Sequence, residues 1–247
     1  MASRPSPAAS ILSGSWSSFP LPESPTLATG AGTPVQAPQV GSGRWEAMFH
    51  VKHEGWSGVA SLGVELDDTA IDRLERFERD LRERGAPRGM VSASDLPRLR
   101  ERHIFDCLRA APLLPETGTV CDLGSGAGLP GVVLAIARPD LRFVLIEVRR
   151  NRAVFLDEAT ADLDNAVVHG RRLETFRERV AACTARAFAP APKSWAAAEP
   201  LLGPSGRLIY WAGATFDFVR DVPTGVSASL FQSALARSGP LVIMARQ

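Results

Sequence analysis

The chain has 247 residues, 45% of them apolar, and a formal net charge of +1. This is enough for one α/β domain with attachments, and it excludes a global field that would draw the protein onto nucleic acid or membrane. Lys52 and Lys193 are the only lysines, so nearly all of the 28 basic residues are arginines, whose planar fork suits phosphates and base edges. Cys107, Cys121 and Cys183 have neither C-x-x-C nor His/Cys ligand spacing, so no metal site and no disulfide framework is expected. No apolar run approaches the roughly 18 residues of a bilayer span. No basic-then-apolar secretory signal opens the chain. A cytoplasmic protein with no membrane role is the expectation.

Residues 1–47 are rich in Ser, Pro, Gly and Ala, with Arg4, Glu23, Arg44 and Glu46 as their only charges. Such a segment buries too little apolar surface to offset its ordering entropy, so it is predicted to be disordered. Met48, which opens "MFHVKHEGW", is a candidate translation start. Residues 48–115 read as a small helical part. Ala70, Ile71, Leu74, Phe77 and Leu81 form one apolar stripe, and the mixed-sign charges between them predict a solvated face. A second helix is predicted to start with Ser94 or Asp95 as N-cap. Its face carries Leu96, Leu99, His103, Ile104, Cys107, Leu108 and Ala111, which makes His103 a hydrogen-bonded core or interface residue.

From residue 116 to 247 short apolar runs alternate with helical stretches. Strands are predicted at 119–123, 142–147, 166–169, 180–185 and 206–211. Helices are predicted at 130–138, 149–163, 192–202 and 214–220. This alternation predicts an α/β fold with a mostly parallel, Rossmann-like sheet. The runs 225–233 and 240–246 are joined by a short link, which permits only antiparallel pairing.

The stretch "TVCDLGSGAGLPG" ends the first of these strands. Gly124, Gly126 and Gly128 allow a sharp turn and close approach of backbone to a ligand at the carboxyl end of the sheet. Glu147 ends the next strand, where a carboxylate can accept from both hydroxyls of a ribose. Asp122 discriminates between adenosine cofactors. A buried acid beside the loop repels a pyrophosphate by several kcal/mol, which disfavours a nicotinamide oxidoreductase. It attracts S-adenosyl-L-methionine, whose sulfonium and ammonium are cationic.

The strings "ERHIFDCL", "CDLGSGAGLPGVVLAIARPDLRFVLIE", "RNRAVFLDEA", "HGRRLE", "TARAFAP" and "PSGRLIYWAG" occur in that order. On them the chain, from about Leu66 onward, resembles the bacterial 16S rRNA guanine-N7 methyltransferases of the glucose-inhibited division B family, most of all its actinobacterial branch. The resemblance implies a Rossmann-like methyltransferase fold behind a small helical part, S-adenosyl-L-methionine as donor, and a guanine of the small ribosomal subunit as acceptor. It implies cofactor contacts at Gly124, Leu129, Glu147, Val148, Arg149, Arg172, Leu173 and Arg186. Arg171, Arg172 and Arg186 follow strand ends and are expected to face the cleft, with Arg171 and Arg186 on RNA. Arg149, Arg150 and Arg152 open the next helix, either near the rim of the cleft or, as charge runs usually are, exposed and paired with Asp157 or Glu158. Trp195 and Trp211 are expected in the core. A monomer is expected, and no catalytic base is named.

Three positions depart from the family. Arg172-Leu173 stands where the family has Ala-Glu, Ala212 where it has Lys, and the Phe-Asp before the fourth strand is absent. These departures keep open a second reading, a ribosome- or RNA-binding relative without turnover.

Overall fold

The computed structural model describes residues 54–232 and 238–247; the expectations for residues 1–47 and for Met48 lie outside them. A short 3-10 segment, Glu54–Leu62, leads into helix α1, Asp68–Asp80. Asp67 caps α1, its carboxylate accepting from the Ala70 amide at 2.7 Å. The predicted stripe is the buried one: Ile71, Leu74 and Phe77 lie inward, and Leu81 continues it where the helix widens over Leu81–Gly85.

The charged face of α1 is not simply solvated. Glu78 is buried and accepts from Arg82 Nη2 and Arg100 Nε, both at 2.7 Å. Arg73 and Arg76 reach Asp162, and Arg84 reaches Glu158. Charges between apolar stripe residues sit at the edges of the packed face, so their long stems fold over the neighbouring elements.

The second helical run also starts differently from the expectation. Ser92 is its cap, accepting from the Ser94 amide at 3.3 Å, and a 3-10 segment, Ala93–Arg98, follows. A wide turn, Arg100–Phe105, then feeds the short helix α2, Asp106–Leu108. Asp95 is left to pair with Arg102 and His103, each at 3.2 Å. Pro97, which has no amide hydrogen, keeps the first turns tight.

Seven strands form one sheet: β1 Thr119–Leu123, β2 Arg142–Ile146, β3 Ala166–His169, β4 Val180–Ala185, β5 Leu202–Trp211, β6 Val226–Phe231 and β7 Leu241–Arg246, in the order β3-β2-β1-β4-β5-β7-β6. The first five pair in parallel. β7 is antiparallel to β6, as the short link between them required, and also to β5. Helices α3 Gly131–Ala137, α4 Arg150–Ala159, α5 Ala191–Ala198 and α6 Phe218–Asp221 connect or flank the strands. β5 begins four residues before its predicted start, and α6 covers only the end of 214–220. The central strands are apolar on both faces, as a doubly covered parallel sheet requires.

One core joins the helical part to the sheet. Leu74, Phe77, Leu99 and Leu108 pack with Val132, Leu134, Phe143 and Leu145 in a single buried cluster. Residues 54–115 therefore pack as one body with the methyltransferase-like part. Removing one such Leu side chain costs about 2–5 kcal/mol.

Candidate functional site

The switch of strand order lies between β1 and β4, whose connections run to opposite sides of the sheet. This is where ligands bind in open α/β sheets, beyond the carboxyl ends of the strands. The loop from Gly124 to Pro130 stands there, pinned by Ser125 N to Ile146 O at 2.8 Å and by Gly128 N to Ser125 O at 2.7 Å. Gly124 has φ of 64°, and a Cβ on it would meet Phe188 Cδ2 at 2.6 Å. Gly128 has φ of 86°, and its Cβ would meet Val132 at 2.6 Å and Phe77 of α1 at 3.1 Å. Only glycine fits either position. Pro130 takes the N-cap position of α3.

Glu147 follows β2 and is 5% exposed. Its Oε2 accepts from Gly126 N at 3.1 Å and its Oε1 from Arg149 N at 2.8 Å. The carboxylate is thus fixed beside the glycine loop by the backbone on either side. Val148 and Arg149 follow it and are exposed.

Asp122 lies where a buried acid beside the loop was expected, engaged with the protein's own donors. Asp122 is 1% exposed and lies beneath the loop. It accepts from Thr184 Oγ1 at 2.7 Å and from Gly131 N, the first residue of α3, at 3.2 Å. Both carboxylate oxygens are engaged in holding β1, β4 and α3 together. Burial pushes its carboxyl up to about 6, against the lowering effect of those bonds and of Arg186. Its influence on a ligand is through its field, across a low-dielectric interior.

Arg186, after β4, lines a cleft of about 1080 Å³ between the α2 region and the tips of β4 and β5. Its Nε pairs with Asp106 Oδ2 at 3.2 Å, and its Nη2 meets His103 Nδ1 at 2.7 Å. Arginine only donates, so Nδ1 carries the lone pair and Nε2–H donates to Asp95 Oδ2 at 3.2 Å. His103 is hydrogen-bonded as expected, yet it lines this cleft instead of an apolar interface. Burial, and secondarily Arg186, holds its pKa below 6.5.

Trp211 and Trp195 are buried, as predicted. Trp211 donates from Nε1 to Asp106 O at 3.1 Å and lines the cleft. Ala212, in the position of the family's lysine, lines it too.

The cleft is not lined by the glycine loop or Glu147. The phenyl ring of Phe188 rests over Gly124, and Arg152 Nη1 lies 3.7 Å from where a Cβ of Gly126 would stand. These two side chains occupy the space over the loop. Among the described residues Arg152 has no ion pair with Asp157 or Glu158, and Glu158 is held by Arg84. Arg171 and Arg172 are exposed after β3, and Arg172 caps the 3-10 turn Leu173–Thr175. Leu173 packs into the second core cluster, while Glu174 stays exposed. Sequence reasoning missed Phe188, Thr184, Asp106 and Arg109. The signal for the last two was present: an acid and an arginine three apart on a face that is otherwise apolar.

The sequence model described as "rRNA small subunit methyltransferase G" matches residues 70–217, more than half of the chain. The chain belongs to this family. Relatives named "Ribosomal RNA small subunit methyltransferase G" include one from Nocardioides sp., 44% identical over 59% of this chain and 61% of its own length. Another, from Thermobifida fusca, is 42% identical over 60% of this chain and 65% of its own length. The matches thus span less than two thirds of these two relatives. A third, from Rhodococcus jostii, is 37% identical over 68% of this chain and 78% of its own length. Among solved structures, a methyltransferase from Geobacter sulfurreducens aligns with TM-score 0.50 at 16% identity, covering 81% of this chain and 96% of that one. That likeness supports the Rossmann-like methyltransferase fold.

Proposed function

We propose that this protein transfers a methyl group from S-adenosyl-L-methionine to N7 of a guanine in 16S rRNA of the small ribosomal subunit. The observation that carries the reading is the pair of carboxylates around the glycine loop, Glu147 bonded to Gly126 at its side and Asp122 buried beneath it. A cation-bearing adenosine suits the charge there: once the Phe188 and Arg152 side chains turn aside, Glu147 can accept from a ribose diol, and Asp122 disfavours pyrophosphate. Val148 and Arg149 lie beside Glu147, in position to border an adenine. Leu129, Leu173 and Arg172 belong to the contacts that the family implies; Arg186, also implied, faces the neighbouring cleft. Rigid placement of these groups is the main contribution the chain makes.

The donor supplies an electrophilic methyl group: the N7–carbon bond forms as the carbon–sulfur bond breaks, and that electron pair leaves with sulfur. Guanine N7 has an in-plane lone pair and no proton, so no residue need remove one. Arg186, held by Asp106 and His103, and the exposed Arg171 provide cations for RNA.

Calorimetry with S-adenosylhomocysteine and with NADH is the first test. Binding of the former alone is expected, and binding of NADH alone would overturn the cofactor assignment. Methyl transfer to 16S rRNA from a strain lacking this modification, mapped by borohydride–aniline cleavage, tests the acceptor. Ala212 in the cleft favours the second reading, a binding protein without turnover, and the same cleavage assay decides it.

A further inference from the structure

We propose that Arg109 and Arg186 form an oxyanion subsite in the cleft, and that its ligand is a phosphate of the RNA strand carrying the target base. The inference rests on the RNA reading above and adds a contact which that reading does not contain.

Arg109 is 2% exposed and lines the cleft. Its Nε is satisfied by Asp106, with O at 3.2 Å and Oδ1 at 2.8 Å. Its Nη1 and Nη2 meet no acceptor among the described residues. A buried guanidinium with unused donors is costly unless something supplies the missing acceptors. Arg186 is in the same position on the other side of Asp106: Nε and Nη2 are engaged, and Nη1 has no acceptor among the described residues.

Charge points the same way. Asp106 is the single carboxylate between two guanidinium groups, one on each of its oxygens. His103 is a neutral acceptor toward Arg186, and Trp211 has already given its one N–H to Asp106 O. The remaining acid on the lining, Glu101, is paired with Arg98 at 3.7 Å, and Arg102 is paired with Asp95 at 3.2 Å, which leaves Arg109 and Arg186 sharing the one carboxylate of Asp106. The cleft is therefore left with a net positive charge and several unused forked donors, a geometry suited to tetrahedral or carboxylate oxygens.

Two sources of such oxygens exist, an RNA phosphate and the carboxylate of the donor's methionine moiety. The cleft favours the first. Its volume of about 1080 Å³ far exceeds what a carboxylate needs, and neither the glycine loop nor Glu147 lines it. Its rim carries Arg98 and Arg102, both at least half exposed and paired with Glu101 and Asp95, whose guanidinium groups keep further donors on the cleft's mouth.

The experiment measures binding of in vitro transcribed 16S rRNA to the full chain across a salt series, for wild type, Arg109→Met and Arg109→Lys. S-adenosylhomocysteine affinity is measured in parallel. Arg109→Met is expected to weaken RNA binding about tenfold or more and to make the salt slope shallower by about 0.7–0.9, the value of one phosphate. S-adenosylhomocysteine affinity should not change, and Arg109→Lys should restore the slope. Arg109→Gln, which keeps a donor for Asp106, replaces the Met variant if that one does not fold. An unchanged slope in a folded variant overturns the proposal. A loss confined to S-adenosylhomocysteine overturns it in favour of the donor carboxylate. If wild type binds neither ligand, the functional reading itself fails, an outcome distinct from both.

Discussion

Arg186 and His103 meet side chain to side chain, Nη2 to Nδ1 at 2.7 Å, and this contact exists only while the imidazole is neutral. Asp95 and Arg102 face the same ring, but burial and then Arg186 dominate, so the pKa lies below 6.5. For a base with a lowered folded pKa, the native state binds fewer protons than the unfolded chain between that value and 6.5. Stability therefore rises with pH through this interval and is lost on acidification. Unfolding by urea between about pH 7.5 and 5.5 should show this loss. His103→Asn, whose amide oxygen replaces the Nδ1 acceptor, should flatten it, and should keep methylation at acid pH where wild type declines.

Asp122 gives the opposite slope. Its carboxyl, pushed up to about 6 from 3.8 by burial, holds more protons in the native than in the unfolded state between those values. Stability then falls as pH rises across the window, and the ionised side chain costs about 3 kcal/mol at neutral pH. Asp122→Asn keeps one carbonyl oxygen, for Gly131 N, and its NH2 can donate to Thr184 Oγ1, whose hydroxyl turns to accept. The variant is expected to be more stable at pH 7 by up to about 3 kcal/mol, while binding S-adenosylmethionine more weakly. Chemical denaturation and calorimetry on the same sample check the two directions together.

Glu147→Gln removes the charge but leaves one carbonyl oxygen for the two amides of Gly126 and Arg149. Lost charge-assisted bonds to a ribose are worth about 1.5–3 kcal/mol. S-adenosylhomocysteine affinity should drop roughly ten- to a hundredfold, and melting should fall as well, because one of the two amides loses its acceptor. Equal affinity in the variant would remove Glu147 from the site.

Gly124→Ala places a Cβ at 2.6 Å from Phe188 and forces an alanine to φ of 64°. The left-handed region costs a non-glycine residue about 1–2 kcal/mol. Cofactor affinity should fall with it. Adding Phe188→Ala should relieve the steric part and leave the backbone part, which a double-mutant cycle of melting temperatures separates.

Periodicity and turn chemistry settled much of this fold in advance. The α1 stripe, the five parallel strands and the antiparallel β6–β7 pair follow from local patterns of apolar and turn residues, because each element must present the same face along its length. The glycine loop and Glu147 were legible for the same reason: strand-end chemistry stands at fixed offsets from its strand. What the sequence could not show is which polar groups become buried against one another. Asp122 was legible as an acid beside the loop, but not as the tie between β1, β4 and α3. Glu78 looked solvated and lies under two arginines. Asp106, Arg109, His103 and Arg186 come from segments up to 83 residues apart and share one charge network. Pairings of that kind depend on how the helical part docks on the sheet, and docking is decided by the packing of the whole core, not by any local pattern.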